Sequence, residues 1–425
     1  MESSTLSSSP STDPSGVRPS DRDPSDRDPS GVPERRTGPS GRPVLRNLLA
    51  YFGNAQARAV GLVFASDSLL FGSWVAHIPH IKQKLLLTDG ELGLALFAMP
   101  AGLLTMNPLT GYIVGKLGQA RACFWAAIGL ALAMCIPVNA PNVPVLVLGL
   151  YLVGLCGALI NVAMNTLATD VEKSSGLSIM SSCHGMWSVG GMVGSSVAGL
   201  VIALHITPEV HLPIMGGLIL LLTLTLKPIL ERIPVQSTGV QSSFVMPNLN
   251  LLLMILIGLA LAMGEGTAFD WSAVYLHETL GASSQIAALG FGAFSFTMTL
   301  GRFMGDSLIP RLGPKRFLQL GGLVAATGLF LAVLVPTPLA ALVGFALLGA
   351  GCSLGAPILY AAALRVPGIP PAAGLATFAT FSFIGFLAGP PIIGFVSDAF
   401  GLPWGIALVG FIMLLSAGLS RLVKL

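Results

Sequence analysis

The chain runs as long apolar stretches separated by short polar breaks. From Ala122 to Thr169, 48 residues pass without Asp, Glu, Lys or Arg, and from Phe317 to Leu364 another 48 do. A membrane-crossing helix takes about 20 apolar residues, so each run holds two helices and a turn. Turn residues stand where the turns are needed: Pro141-Asn142-Val143-Pro144 in the first run and Pro336-Thr337-Pro338 in the second. Strands of a membrane β-barrel would alternate over about ten residues, and that pattern is missing. The sequence therefore predicts an all-α integral membrane protein with twelve spans. They fall near 58–79, 91–114, 122–140, 144–167, 177–204, 211–230, 249–276, 284–308, 316–335, 339–363, 373–396 and 403–422.

Composition agrees. Of 425 residues 53% are hydrophobic and 10% charged, against about 25% charged in a soluble domain. The net charge of +3 is too small to suggest a nucleic-acid partner. Residues 1–46 differ from the rest: they hold 14 of the 41 charges, seven Arg against seven acids, among Ser, Pro and Gly, with PSDRD repeated at 19–23 and 24–28. Nothing there can bury enough apolar surface to offset chain entropy, so a disordered cytoplasmic tail is expected. No apolar segment follows Met1, which argues against a secretory signal. The body carries 15 basic and 12 acidic residues. With the N-terminus inside, only Lys82 and Lys84 fall in an outside loop. The expectation is a multi-pass protein of the bacterial cell (inner) membrane with both termini cytoplasmic.

The two charge-free runs begin 195 residues apart, and that offset recurs. Gly149–Gly154 (GLYLVG) matches Gly344–Gly349 (GFALLG); Lys116-Leu117-Gly118 with Arg121 matches Arg311-Leu312-Gly313 with Arg316. Gly190, Gly194 and Gly199 match Gly385, Gly389 and Gly394, while at an offset of 197 Trp74 pairs with Trp271, Gly93 with Gly290 and Phe97 with Phe294. Two six-helix halves in parallel repeat are a transporter architecture, with the substrate site at their interface. The expected division is a tail at 1–46, a six-helix bundle at 47–230, a cytoplasmic linker at 231–248 and a second bundle at 249–425.

On these motifs the chain resembles the major facilitator superfamily over residues 47–425. GYIVGKLGQAR at 111–121 is similar to the superfamily's G-x-L-a-D-r-x-G-r loop, with Gly115 where the family has Asp and Gln119 where it has Arg. GRFMGDSLIPRLGPKRFL at 301–318 is similar to the fucose-permease branch, and GEGTAFDWSAVYL at 264–276 and MSSCHGMWSVGG at 180–191 resemble bacterial members of the same region. The resemblance implies pseudo-twofold bundles, alternating access, spans one, four, seven and ten around the cavity, and spans five and eleven at the seam.

Charges inside the membrane supply the candidate chemistry. An ionised carboxylate at mid-bilayer costs about 2.5–3.5 kcal/mol even on lenient scales, so it needs a partner, water or a proton. Asp67 lies about 14 Å into the first span, and it is the first candidate for proton coupling, against a plain interhelical hydrogen bond. Glu265, next to the repeat equivalent of Asp67, is the second. Asp270 with Trp271 is expected as an outer-mouth gate or interface anchor. Asn161 and Asn165, i and i+4 on the fourth span, are candidates for substrate hydroxyls, with Tyr360 at the position matching Asn165 and Trp74 as a ring to stack on a sugar; interhelical bonding and interfacial anchoring are the alternatives. His184 shares a face with Ser181 and Ser188 and is either a packing histidine or a relay. Gly190, Gly194, Gly385 and Gly389 suggest a close seam between halves. Arg302 and Asp306 are spaced for a salt bridge, unless Arg302 turns inward to a substrate.

No G-x-x-x-x-G-K-S/T loop, H-E-x-x-H, G-x-S-x-G or C-x-x-C occurs, and the five cysteines lie in apolar spans. The expected protein is no enzyme and needs no cofactor, metal, ATP or nucleic acid. Its partners are the lipid bilayer, a small-molecule substrate and the proton. The favoured function is proton-coupled import of a small polar, sugar-like solute. Proton-coupled efflux of drug-like or metabolic compounds is the alternative in the same fold. A non-transporting sensor is the alternative outside it.

Overall fold

The computed structural model describes residues 44–235 and 245–425. The tail expected up to residue 43, residues 236–244 of the expected linker, and the side chains of 44–48, Asp306, Ser307, Pro310 and Ala372 lie outside the described set. Among the described residues every regular element is helical. A short helix, Val44–Gly53, comes first, so regular structure begins three residues inside the expected tail. Eleven helices are long and apolar enough to cross a membrane, and one bent pair makes a twelfth.

The first span is that pair, Ala55–Val75 and Ile78–Leu85, bent by 43°. The second is Asp89–Leu117, the third Gln119–Ala133 continued by Cys135–Asn139, the fourth Val143–Ser175, the fifth Met180–Ala203 and the sixth Pro208–Leu230. Then follow Leu249–Asp270, Ser284–Leu312, Pro314–Leu334, Pro338–Cys352 continued by Gly355–Ala363, Pro371–Ser382 continued by Ile384–Phe400, and Leu402–Leu419. With an even number of crossings the described chain starts and ends on one face, the terminus face.

Local chemistry explains the ends and the breaks. Asn54, Thr88, Asn142, Asn248 and Thr337 cap spans with their side chains, and Thr88 with Glu91 forms a reciprocal box. Gly118 and Gly313, repeat equivalents, turn from one span to the next at φ +80° and +77°, where a side chain would be strained. Four spans expected to be continuous are broken, the first, third, tenth and eleventh, and in the first three of these a proline follows the break. Pro79, Pro137 and Pro357 each lie four residues after the break begins, at Val75, Ala133 and Ser353, because the ring clashes with the i−4 carbonyl. The seventh span was expected to reach 276; regular α-helix stops at Asp270, then one short turn and a π-helical turn, Tyr275–Thr279, carry the chain outward.

Packing repeats like the sequence. In the first six spans, one packs on five, two on four, three on four, three on six and one on six; in the last six, seven packs on eleven, eight on ten, nine on ten, nine on twelve and seven on twelve. These are the same pairs shifted by six. Two six-helix bundles related by a pseudo-twofold therefore form the fold, and they meet where five packs on eight and two on eleven.

Four glycines expected at that seam lie elsewhere. A Cβ on Gly190 or Gly194 would meet the backbone of Ala65 or Leu69 in the first span, at 2.1 and 2.3 Å. One on Gly385 would meet Leu259 of the seventh at 2.4 Å, and one on Gly389 would lie 3.9 Å from Met263 there. All four close contacts within a half. Among the described residues, glycines that meet the other half are Gly90, Gly93 and Gly394 between spans two and eleven, and Gly185, Gly191, Gly199 and Gly292 between five and eight.

Candidate functional site

The first span places Asp67 in its buried stretch, between Ser66 and Ser68. Its Oδ2 accepts the indole N–H of Trp187, from the fifth span, at 3.0 Å. Its Oδ1 is buried and has no hydrogen-bond partner. A carboxylate in this setting keeps one oxygen oriented and one free, which is an arrangement able to take up a proton without breaking its existing bond.

Trp187 opens onto the other half. The guanidinium carbon of Arg302, in the eighth span, lies 5.9 Å from its ring centre, within cation–π range. Phe269 of the seventh span lies 5.7 Å from it and passes contact on to Phe291 at 4.5 Å. Arg302 donates to the His184 carbonyl at 3.2 Å and to the Ser188 hydroxyl at 2.8 Å. Glu265 is within electrostatic reach of Arg302, and Tyr360 and Cys352 of the tenth span are within reach of Glu265. Spans one, five, seven, eight and ten thus bring Asp67, Trp187, Glu265, Arg302 and Tyr360 into one cluster, drawn from both halves.

The other candidates sort differently. The Arg302 side chain reaches the fifth span; Asp306, its expected partner, has a side chain outside the described residues. The His184 ring packs edge-on to Phe64 at 5.3 Å, and its carbonyl serves Arg302. Asn165 bonds back to the Asn161 carbonyl at 2.8 Å, so the pair satisfies part of its polarity within the span while Asn161 stays exposed. Tyr360 is 42% exposed and rests on Phe378. Trp74 is buried, with its indole N–H unpartnered, and is closed off from stacking on a solute. Trp271 is likewise fully buried, with its indole N–H unpartnered, so it is no headgroup-level anchor, and Asp270 beside it is buried. Burial removes both tryptophans from lipid and solute alike, and the face opposite the termini is closed by polar contacts.

That closed face is a second cluster. Lys82, at the end of the first span, pairs with Asp89 at 2.5 Å and with Glu278 beyond the seventh span. Ser397 donates to Asp89, and the Thr88 hydroxyl donates to Asp398 at 3.1 Å, so the second span is tied to the eleventh. Nearby, Lys84 pairs with Glu209 at 2.9 Å, and His77 with His211 at 2.8 Å, inside the first half. No ion pair among the described residues joins the halves on the terminus face. Sequence reasoning missed this cluster and Trp187. Two lysines isolated in one loop expected to lie outside were the available signal for the first.

The model of the major facilitator superfamily matches residues 59–368 and 253–424, which together span the whole membrane body. The chain belongs to the major facilitator superfamily. An uncharacterised transporter of Sinorhizobium fredii is 33% identical over 377 residues, covering 86% of this chain and 98% of that protein. The fold is similar to a bacterial homologue of the human lysosomal transporter Spinster (TM-score 0.67, 17% identity, 88% of this chain and 96% of that one). It is also similar to the E. coli fucose:proton symporter (TM-score 0.59, 16% identity, 87% and 98%). This superfamily chain is a multi-pass membrane transporter, of a kind that moves solutes and does not transform them. In the superfamily's G-x-L-a-D-r-x-G-r loop, Gln119 takes the place of Arg and donates to Asp170 of the fourth span at 2.6 Å.

Proposed function

We propose that this superfamily member is a proton-coupled importer of a small polar, sugar-like solute, working by alternating access with Asp67 as the coupling carboxylate. The observation that carries the proposal is the buried Asp67 with one oxygen held by Trp187 and the other unpartnered, beside a cluster that reaches into the second half. An isolated ionised carboxylate is costly in such a place, so its charge state can follow the proton supply from either side. Glu265, balanced by Arg302, is the second candidate. Exposed Asn161 and Tyr360 offer hydrogen bonds to hydroxyls, and the likeness to a fucose:proton symporter supports a sugar-like solute and symport. The charge distribution supports a bacterial inner-membrane site with both termini cytoplasmic, and the tail, two bundles and linker at 1–46, 47–230, 249–425 and 231–248. With that orientation the Lys82 cluster closes the outer side.

The test is Asp67→Asn in proteoliposomes. Gradient-driven accumulation should disappear while counterflow exchange continues. Accumulation that survives the substitution removes Asp67 from the coupling role, and proton-driven movement outward would point to efflux.

A further inference from the structure

Among the described polar and ring contacts, Trp187 alone touches both Asp67 and Arg302. Its N–H is committed to Asp67 Oδ2 at 3.0 Å, and its ring face to the Arg302 guanidinium at 5.9 Å. These two charges belong to different halves, and the contact between the fifth and eighth spans is one of the two where the halves meet. We propose that Trp187 is a positioning residue that transmits the protonation state of Asp67 to Arg302, and through it to Glu265, across that contact.

The physical basis is a change in one hydrogen bond. A carboxylate is a strong, charge-assisted acceptor for the indole N–H, whereas a carboxylic acid is a weaker one. The free Oδ1 is where a proton from water can settle, leaving Oδ2 on the indole as a neutral acceptor. Weakening that bond loosens the ring, and the ring is one wall of the Arg302 site. Among the described residues, the hydrogen bonds that hold the Arg302 side chain go to the His184 carbonyl and the Ser188 hydroxyl, both neutral, with Glu265 within electrostatic reach. The titratable and charged groups around this path are Cys123 from the third span, His184 from the fifth, Glu265 from the seventh, Arg302 from the eighth and Cys352 and Tyr360 from the tenth. A proton on Asp67 then frees Arg302 to turn toward Glu265 or an incoming solute, which ties proton binding to a rearrangement at the seam.

This inference rests on Asp67 carrying the coupled proton, so the experiment has one readout that needs no substrate. The full-length protein in liposomes is titrated between about pH 5 and pH 9, the range a shifted carboxylate or histidine can cover, while tryptophan emission is followed. Wild type should show a pH-dependent step that is lost in Trp187→Phe and in Asp67→Asn. The second readout is transport. Trp187→Phe keeps an aromatic face but no donor, and should cut gradient-driven accumulation about tenfold or more, as expected for one charge-assisted hydrogen bond, a larger loss than in counterflow. A step that persists in Trp187→Phe, or accumulation that stays at the wild-type level, overturns the proposal. If Trp187→Phe does not fold, Asp67→Asn decides on the emission step alone: its loss supports the proposal and its persistence overturns it. Wild-type uptake that ignores a proton gradient would instead defeat the coupling assigned to Asp67, a separate failure.

Discussion

The two contacts between the halves are equivalents under the pseudo-twofold, yet they are built from different chemistry. Spans two and eleven meet at the face opposite the termini through charged and hydroxyl groups: Asp89 with Ser397 and Thr88 with Asp398, reinforced by Lys82 on Asp89 and Glu278, around the close approach at Gly93 and Gly394. Spans five and eight meet mostly through small residues and rings, with Gly185 under Phe303, Gly292 beside Ser195 and the Ser195 hydroxyl donating to the Ala288 carbonyl, and carry one charged side chain, Arg302 on His184 and Ser188. Water can replace the partners of the first contact when it parts. In the second, parting would leave an unfilled glycine groove and an unsatisfied buried hydroxyl. Similar topology thus yields one contact that can exchange with solvent and one that holds by fit.

The largest effect is expected in the contact that holds by fit. Ser195→Val removes a buried hydrogen bond and adds volume against Gly292, where a Cβ would already lie 3.1 Å from the Ser195 hydroxyl. A loss of about 2–4 kcal/mol in stability is expected from the two causes together, read as a lower thermal unfolding temperature. Gly93→Val acts on the other contact. Its Cβ would meet the Pro390 carbonyl at 2.5 Å, which the closed arrangement cannot absorb. The fold should survive with the opposite face held open, and spin labels at exposed Leu86 and Thr279 should then separate. An unchanged label distance would mean that this contact holds by packing after all.

Lys82→Met should come next, shifting the closed–open balance about tenfold, because it leaves Asp89 and Glu278 without their shared cation. The same labels read the shift. Smallest is Thr88→Ala, worth about 1 kcal/mol or less on a partly exposed pair. Raising ionic strength should act in the same direction on the Lys82 pairs and leave the contact of spans five and eight unmoved. If salt moves both contacts equally, the difference in chemistry between them has no mechanical consequence.

The spans and the repeat were legible because bilayer burial imposes a composition that few other environments produce. Asp67, Glu265 and Arg302 stood out for the same reason, as charges in runs that have almost none. Partners were not legible. The indole that holds Asp67 is 120 residues away, and Trp187 inside an apolar run resembles any packing aromatic. The glycine spacing at Gly190 and Gly194 marked a small-residue face, yet that face meets the first span, while Gly185 and Gly199 on the same helix meet the other half. Spacing defines a face and leaves open which neighbour covers it. Asp89, Glu278 and Asp398 passed unnoticed because charges at span ends are expected wherever a helix meets water. Only the fold shows that they converge on Lys82 and the second span.

The central claim is a carboxylate in the first half that couples solute movement to the proton. Uptake of a panel of labelled sugars into proteoliposomes, with and without an imposed inward proton gradient, tests it most directly. The account predicts that at least one sugar accumulates above its external concentration only when the gradient is present. Equilibration at the same rate and to the same level with no gradient would contradict it.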